Sequence, residues 1–380
     1  MQTQAQSNAF SLFTGNPYIA GNPVGHSEAF IGRSDVLAQS MNMLQHDTEH
    51  ALVLHGQRRI GKTSVLQYLQ RQLKDDNGFE VIYFDLQSKV GWSMPQILKE
   101  LYVVLHHMLN TDSPDCKEVT DLCWLRNMLN RLPSATRLVL LMDEVDVMRS
   151  QPPEGFIQFL QSLLTDFGGR VKLMLVIGHS IDEQVSTLQS FLQTLPACRV
   201  SLLNKEETVN LVKLSEANDA LHWSMSEIDA VWHYTKGHPL LTQQLCAHVW
   251  EASYDFPIEN ASEATPELVA SVSEEVLEAS RNTLEWSWGG LSLQEKVTAA
   301  LLAEIGETPV SKAELSNQLR KNLKTSINPL TALKPLQMRD LVGSEDNGET
   351  YQIRGELLRS WIAEHKPFRR IKAEFEQRVA

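Results

Sequence analysis

The sequence has few cysteines and lacks any long uninterrupted apolar run. Its four cysteines, Cys116, Cys123, Cys198 and Cys246, form no CxxC pair, so neither a zinc site nor a disulfide framework is indicated. We expect reduced cysteines in a cytoplasmic protein. No stretch of about eighteen apolar residues occurs, so we expect no membrane span. The polar segment Met1–Ser11 also lacks the basic-then-apolar pattern of a signal peptide.

A surplus of positive charge is lacking as well. The chain carries 34 Lys and Arg against 47 Asp and Glu, a net charge of −13, which argues against diffuse nucleic-acid binding by the whole surface. It leaves a local basic patch open. With 42% hydrophobic and 21% charged residues the chain can bury ordinary cores, and its 380 residues indicate two or three domains.

Short apolar runs alternate with amphipathic helical stretches over residues 16–203. This pattern predicts an α/β fold, a parallel sheet with helices on both faces. The predicted strands are Ala51–His55, Glu80–Asp85, Arg137–Asp143, Lys172–Ile177 and Arg199–Leu203. The predicted helices are Lys62–Lys74, Pro95–Leu109 and Phe156–Leu164.

The pattern after residue 203 is helical. Residues 204–256 predict a helical lid with helices Glu206–Leu214, Ser226–Tyr234 and Leu240–Trp250, and 257–290 predict a linker and a connecting helix in which Trp286 and Trp288 fill a domain junction. Residues 291–365 read helix, helix, helix, hairpin, the order of a winged helix. The predicted pieces there are Glu295–Ile305, a helix capped by Ser311, Ile327–Met338, Leu341–Val342, the turn Asp346-Asn347-Gly348 and Thr350–Ile353. Residues 1–15 predict a flexible arm and 366–380 a basic tail that ends in a fraying helix.

One motif carries specific chemistry. The segment from Gly56 to Thr63 fits the pattern GxxxxGK[ST], directly after a predicted strand and at the start of a predicted helix, which is the context of a phosphate-binding P-loop. Backbone N–H groups there point at phosphates, aided by the helix dipole. Lys62 would neutralise the β- and γ-phosphates of ATP, and the Thr63 hydroxyl would bind Mg²⁺. The motif residues are Gly56, Gln57, Arg58, Arg59, Ile60, Gly61, Lys62 and Thr63.

A second apolar strand ends in two carboxylates, Asp143 and Glu144, about eighty residues after the P-loop. Because successive side chains of a strand alternate, the two can serve different purposes. We expect Asp143 to hold Mg²⁺ and Glu144 to act as the general base for the attacking water. A third strand is followed by His179 and Ser180, and either could contact the γ-phosphate, since ligands lie beyond the carboxyl ends of parallel strands. A solvated loop is equally compatible with this pair.

Together these residues resemble the STAND-class AAA+-like ATPases, a class of signal-transducing ATPases. The resemblance covers about residues 16–365. It begins with Asn16-Pro17-Tyr18 and Phe30-Ile31-Gly32-Arg33, continues through the P-loop and Ser64, and includes the turn Gly237-His238-Pro239. It implies that Phe30, Gly32 and Arg33 lie near the adenine of ATP or ADP, and that Gly237, His238 and Pro239 sense the nucleotide from the lid. Members of that class usually also carry an effector domain or a repeat sensor, whereas only Lys366–Ala380 follows the predicted winged helix here. We therefore expect effector and sensor to be separate proteins or absent.

An arginine finger is not evident in the sequence. Arg149, Arg170 and Arg199 are candidates, although each is also typical of a solvated surface. A further basic group lies in the predicted winged helix, where a DNA-binding domain would touch phosphates. Its members are Arg320, Lys321, Lys324, Lys334 and Arg339. The acidic residues Glu345, Asp346 and Glu349 of the predicted wing argue against DNA binding.

Two functions are compatible with these observations. The first is an ATP-dependent switch that forms homo-oligomers or signals to a separate partner, in prokaryotic defence or stress signalling. The alternative is a DNA-bound AAA+ ATPase of the replication-initiator or transposition-regulator kind. A metabolic kinase is not favoured, because no acceptor-substrate insertion is visible.

Overall fold

The computed structural model describes residues 15–74, 76, 78–108, 122–148, 152–178, 187–218, 221–254, 262–324 and 328–379. The chain divides into two compact units. The core unit is Pro23–Val200, and the helical unit consists of Met1–Asn22 and Ser201–Ala380. Residues 16–22, which the sequence pattern groups with the α/β core, thus belong to the helical unit. Within the described ranges, no helix is long and apolar enough to cross a membrane.

The core unit is a five-stranded parallel sheet with the strand order β2-β3-β4-β1-β5. Its strands are β1 (Ala51–His55), β2 (Phe79–Asp85), β3 (Arg137–Asp143), β4 (Val171–Ile177) and β5 (Ala197–Arg199). Its helices are α1 (Ser34–Gln45), α2 (Lys62–Lys74), α3 (Met94–Met108), α4 (Cys123–Leu129), α5 (Phe156–Thr165) and α6 (Thr187–Leu192). In register, Asp85 pairs with Asp143 and His55 with Ile177, so four strands end at one edge.

The central strands β3 and β4 are buried almost throughout, because helices cover both faces of the sheet. On one face their side chains pack with α3, α4 and α5 in one cluster that contains Leu140, Leu173 and Phe159. On the other face Leu141 and Met174 are equally buried. The predicted parallel α/β fold with a P-loop NTPase sheet is therefore confirmed.

Two strands differ from the predictions. The pattern predicts a strand that helices cover on both faces, but most side chains of β2 are only partly buried, and burial alternates toward its carboxyl end. The reason is that β2 lies at the edge of the sheet. The fifth strand was placed too late in the sequence at Arg199–Leu203. It is Ala197–Arg199 instead, because Val53 donates its N–H to the Pro196 carbonyl and the chain leaves the core unit after Val200.

The helical unit contains ten helices and five short strands within the described ranges. The first part comprises α7 (Lys205–Val212), β6 (Leu221–His222), α8 (Met225–Thr235), α9 (Pro239–Tyr254), β7 (Ser262–Glu263), α10 (Pro266–Ser271) and α11 (Ser273–Gly289). The second part comprises α12 (Leu293–Ile305), β8 (Val310–Ser311), α13 (Lys312–Asn322), α14 (Pro329–Met338), β9 (Val342–Glu345), β10 (Thr350–Ile353), α15 (Glu356–His365) and α16 (Phe368–Val379). The strands β8, β10 and β9 form a small antiparallel sheet.

The order α12, α13, α14 and then the β9–β10 hairpin agrees with the element order predicted for residues 291–365. Ser311 caps α13 as predicted, because its hydroxyl accepts the Glu314 N–H at 3.1 Å. Asn347 occupies the left-handed region in the hairpin turn, the conformation that Asn and Gly tolerate best.

The segment after residue 366 is not a fraying tail. It forms α16, whose side chains Phe368, Ile371 and Phe375 are buried in the same cluster as Val297 of α12. Their spacing of three and four residues places them on one face of the helix. Trp288 joins this cluster and meets Trp361 edge to face, with ring centroids 6.4 Å apart.

Candidate functional site

The P-loop connects β1 to α2 at the carboxyl edge of the core sheet. Gly56 adopts φ +157°, and a Cβ at this position would lie 2.2 Å from the Val200 carbonyl oxygen, so only glycine fits. Arg59 and Gly61 have φ of +61° and +99°. Such turns direct consecutive N–H groups into a concave anion site. The N–H groups of the first turn of α2 lack intrahelical acceptors and extend that site.

Lys62 is buried, with only 5% of its surface exposed. Its Nζ donates to the carbonyl oxygens of Gly56 at 3.0 Å and Gln57 at 2.6 Å. Burial lowers the pKa of this ammonium, and the carboxylates of Glu144 and Asp146 partly oppose the change. The Lys62 ammonium therefore donates to two neutral carbonyl oxygens. A charged phosphate oxygen is a stronger hydrogen-bond acceptor and could replace them.

The Thr63 hydroxyl donates to Oδ2 of Asp143 at 2.7 Å. The other carboxylate oxygen, Oδ1, accepts the backbone N–H of Glu144 at 3.0 Å. Asp143 is 2% exposed and ends the buried strand β3. A hydroxyl and a carboxylate oxygen in contact are the hard ligands that Mg²⁺ prefers. The two predicted metal ligands thus fit this ion.

Glu144 leaves the sheet in the left-handed conformation, with φ +53°. Its carboxylate and that of Asp146 both lie beside Gly178, at the end of the neighbouring strand β4. Burial raises the pKa of Glu144, the nearby Asp146 raises it further, and Lys62 opposes both effects. A carboxyl group with a raised pKa is a stronger base, as general-base catalysis requires.

Two residues of this site are not predicted by the sequence. Tyr83 on β2 donates its hydroxyl to Oδ2 of Asp143 at 2.9 Å. Asp146, three positions after Asp143, accepts the Gly178 N–H through Oδ2 at 3.0 Å. A third carboxylate shortly after the Asp143-Glu144 pair is a signal for Asp146. Nothing in the sequence pairs Tyr83 with Asp143, because that contact depends on which strands are neighbours.

The segment of residues 23–33 lies against α2 and the P-loop. Val24 donates its N–H to the Ser64 hydroxyl at 3.1 Å. Phe30 stacks on Tyr68 with ring centroids 4.5 Å apart. The buried Arg33 donates from Nη2 to the Ile60 carbonyl at 2.7 Å, and Gly32 precedes it with φ +73°. Contact with adenine stays a prediction for these residues.

The other candidates at this edge separate into three groups. His179, Ser180 and Arg149 lie outside the described residues. Arg170 was a wrong candidate for an arginine finger, because its guanidinium donates to carbonyls of the α4–β3 connection, among them Leu129 at 2.8 Å and Thr136 at 3.1 Å. These lie before β3 and not at its carboxyl end. Arg199 is exposed at the end of β5 and stays a candidate.

Gly237, His238 and Pro239 lie in the helical unit between α8 and α9. Gly237 has φ +78°, and its carbonyl accepts the Leu203 N–H at 2.9 Å. The His238 carbonyl accepts the N–H of Thr242 in the first turn of α9 at 2.8 Å, and Pro239 is the first residue of that helix. Their role toward a nucleotide stays a prediction.

Four of the five basic residues proposed for DNA are exposed. They are Arg320, Lys321, Lys324 and Lys334. The fifth, Arg339, was a wrong candidate for phosphate contact: its guanidinium faces the buried carboxylate of Glu295 at 3.7 Å, and its side chain is only 16% exposed. The acidic residues of the hairpin, Glu345, Asp346 and Glu349, are exposed.

Comparison with known proteins agrees with this geometry. The family model for an AAA domain matches residues 45–185. The fold is similar to that of the Walker-type ATPase PABY2304 of Pyrococcus abyssi, with a TM-score of 0.64 and 15% identity over 90% of this chain and 98% of that one. It is also similar to the ORC2 protein of Aeropyrum pernix, solved in ADPNP-ADP complexes, with a TM-score of 0.59 and 15% identity over 95% and 99% of the two chains. A comparison with curated proteins finds no match.

The core unit therefore has the fold of a P-loop NTPase, and its residues 45–185 match an AAA domain. This follows from the parallel sheet, the P-loop between β1 and α2, and the carboxylates at the end of β3.

Proposed function

We propose that the chain is an ATP-dependent molecular switch that binds Mg²⁺-ATP and hydrolyses it slowly. The 2.7 Å contact between the Thr63 hydroxyl and Asp143 carries this proposal. It brings together the two predicted metal ligands, which lie 80 positions apart in the sequence. The buried Lys62 lies in the same loop, and Glu144 follows Asp143 directly.

Each residue of the site has one role in this proposal. The loop N–H groups and Lys62 bind the phosphates, and Thr63 and Asp143 hold the metal. Bound Mg²⁺ would neutralise charge on the β- and γ-phosphate oxygens. Glu144 accepts a proton from the attacking water, and its raised pKa suits that step. Asp146 keeps the pKa of Glu144 raised and fixes the backbone of Gly178.

The switch rests on the division of the chain into two units joined by two covalent connections, at Asn22–Pro23 and Val200–Ser201. The resemblance to STAND-class ATPases adds a nucleotide sensor at Gly237, His238 and Pro239 in the helical unit. A nucleotide favours one arrangement of two units only by its differential affinity for that arrangement. The output is homo-oligomer formation or signalling to a separate effector or sensor protein, in prokaryotic defence or stress signalling.

A binding experiment tests the nucleotide site. In Lys62→Ala, ATP affinity should fall by at least about 100-fold, since a buried charged hydrogen bond to phosphate is lost. Fluorescence titration with a labelled ATP analogue measures it. The matched control is Lys74→Ala, the same change at an exposed position of the same helix. Wild-type affinity in Lys62→Ala, with an unchanged melting temperature of the apo protein, would show that the loop does not bind ATP.

Duplex DNA is the second candidate ligand. The exposed cations Arg320 and Lys321 lie in the last turn of α13, and the exposed Lys324 lies two residues past its end. Lys334 is exposed on α14. The similarity to the ORC2 protein covers 95% of the chain. The acidic hairpin and the net charge of −13 oppose DNA binding. The similarity to the ORC2 protein nevertheless supports this alternative, a DNA-bound AAA+ ATPase of the replication-initiator kind, better than it supports a switch with a protein partner.

Salt dependence separates the two outputs. If the patch binds DNA, log affinity falls steeply with log salt, and Lys321→Glu with Lys324→Glu should lower that slope by about two, one for each lost phosphate contact. Lys74→Glu, an exposed position of the core unit, is the control. Absence of duplex binding at about 50 mM salt, where such contacts are strongest, would leave the protein-partner output.

A further inference from the structure

Tyr83, at the carboxyl edge of the sheet, has no role in the proposed mechanism, although its hydroxyl is a hydrogen-bond donor within the site. Tyr83 lies on the edge strand β2, and its hydroxyl donates to Oδ2 of Asp143 at 2.9 Å. The same oxygen accepts the Thr63 hydroxyl at 2.7 Å. Oδ1 of Asp143 accepts the Glu144 N–H at 3.0 Å. Both oxygens of the predicted metal ligand are therefore held by donors of the protein.

The position of Tyr83 in the sheet makes this contact possible. Tyr83 pairs with Leu141 in the parallel register of β2 and β3, so it lies one same-face position before Asp143. The side chain is half-buried. The two residues are rigidly placed by adjacent strands, and the phenol reaches the carboxylate diagonally across the pair.

Donors behind a metal-binding carboxylate fix which lone pairs face the ion, and their removal costs affinity for the metal. The Thr63 hydroxyl is itself a proposed ligand, and the Glu144 N–H belongs to the backbone. Tyr83 is thus the side-chain donor to Asp143 that has no other role in the site.

We propose that Tyr83 is a positioning residue for magnesium: its hydroxyl orients the Asp143 carboxylate and thereby sets the affinity of the site for Mg²⁺ when ATP is bound. This inference rests on the proposed nucleotide site. Tyr83 contacts no phosphate in this assignment and acts through Asp143.

The test is a Mg²⁺ titration of nucleotide binding in Tyr83→Phe, which keeps the ring and removes only the hydroxyl. Affinity for a fluorescent ATP analogue is measured in EDTA and at increasing Mg²⁺. We expect unchanged affinity in EDTA and a Mg²⁺ midpoint raised by about 10–100-fold. At saturating Mg²⁺ the affinity should return to the wild-type value. Tyr351→Phe, a buried tyrosine of β10 in the helical unit, is the matched control and should leave the midpoint unchanged.

A double-mutant cycle with Asp143→Asn shows whether Tyr83 acts through Asp143. The double variant should have the same Mg²⁺ midpoint as Asp143→Asn alone. Additive effects would overturn the inference, as would a wild-type midpoint in Tyr83→Phe or an equal loss of affinity with and without Mg²⁺. If Asp143→Asn itself left the midpoint unchanged, the nucleotide site as proposed would fail instead.

Discussion

At the scale of single residues, Glu144 is the residue that we propose as the general base for ATP hydrolysis. Its backbone is in the left-handed conformation, and its carboxylate lies beside Gly178 at the end of β4. In Glu144→Gln the shape is kept and the base is lost, so hydrolysis should fall by about 10²–10⁴-fold while ATP stays bound. Phosphate release measures turnover, and Glu154→Gln, an exposed glutamate of the same unit, is the control. Equal turnover in wild type and Glu144→Gln would remove Glu144 from the mechanism.

The raised pKa of Glu144 gives a pH dependence with a definite sign. The base must be ionised, so the ATPase rate should rise with pH, with a midpoint above about 4.3, the ordinary glutamate value. Asp146 is one cause of the raised pKa. Asp146→Asn should therefore move the midpoint to lower pH, and Asn can still accept the Gly178 N–H. Rate profiles from about pH 4 upward, which include the ordinary glutamate value, measure this; superimposable titration curves would contradict it.

The residues of the site differ in how far the sequence predicts them. Lys62 and Thr63 follow from a local pattern, because strand end, loop and helix start are contiguous in sequence. Asp143 follows from a second local pattern, an apolar strand that ends in two carboxylates. Tyr83 requires knowledge that β2 lies beside β3. Arg170 shows the converse. As an arginine it has the side chain that an arginine finger requires, but it lies at the amino edge of the sheet, where its guanidinium donates to backbone carbonyls.

At the scale of elements, the turn between α8 and α9 is fixed by Gly237. A Cβ there would lie 2.1 Å from the Leu203 carbonyl oxygen, and φ is +78°. Gly237→Ala should lower the free energy of unfolding by about 1–3 kcal/mol or more. Urea denaturation measures this change. Gly289→Ala is the control, since among the described residues only its chain neighbours and the backbone of its own helix can lie within 4 Å of its Cβ position. Equal stability of the two variants would show that the turn relaxes freely.

Elements with a strong period were predicted to within a few residues, and the bounds of the edge strand β2 to within one. The degree of burial at the sheet edge and at the C-terminal helix was not predicted. The helix predicted from Lys62 to Lys74 has these bounds in the structure, because the P-loop and an apolar stripe define it. The strand β2 carries polar side chains that only its edge position explains. The many basic residues of α16 led to the prediction of a fraying tail, whereas three apolar residues form a buried face of this helix.

At the scale of the whole molecule, the switch predicts that nucleotide changes assembly or accessibility. Moving a two-state equilibrium from 1:99 to 99:1 requires about 5.5 kcal/mol of differential affinity. Light scattering after size exclusion, and limited proteolysis, should therefore distinguish the ADP form from the form with a non-hydrolysable ATP analogue. His238→Ala or Pro239→Ala should reduce the difference and leave ATP affinity unchanged.

The control for this experiment is His222→Ala, an exposed histidine of β6. Identical mass and identical proteolysis in apo, ADP and ATP-analogue samples would reject the switch and leave an ATPase of another purpose.

The N-terminal piece of the helical unit has a consequence for the order of events on the ribosome. Tyr18 is buried and its hydroxyl bonds to Ser215 at 3.0 Å and to Trp223 at 3.1 Å. The intervening core unit is synthesised completely before either partner exists, and chains fold largely from the N-terminus as they emerge. Tyr18 therefore cannot make these two bonds until the whole core unit has been synthesised. We expect the core unit to fold first, as an insertion, and the helical unit to complete its packing after the C-terminal part has been made.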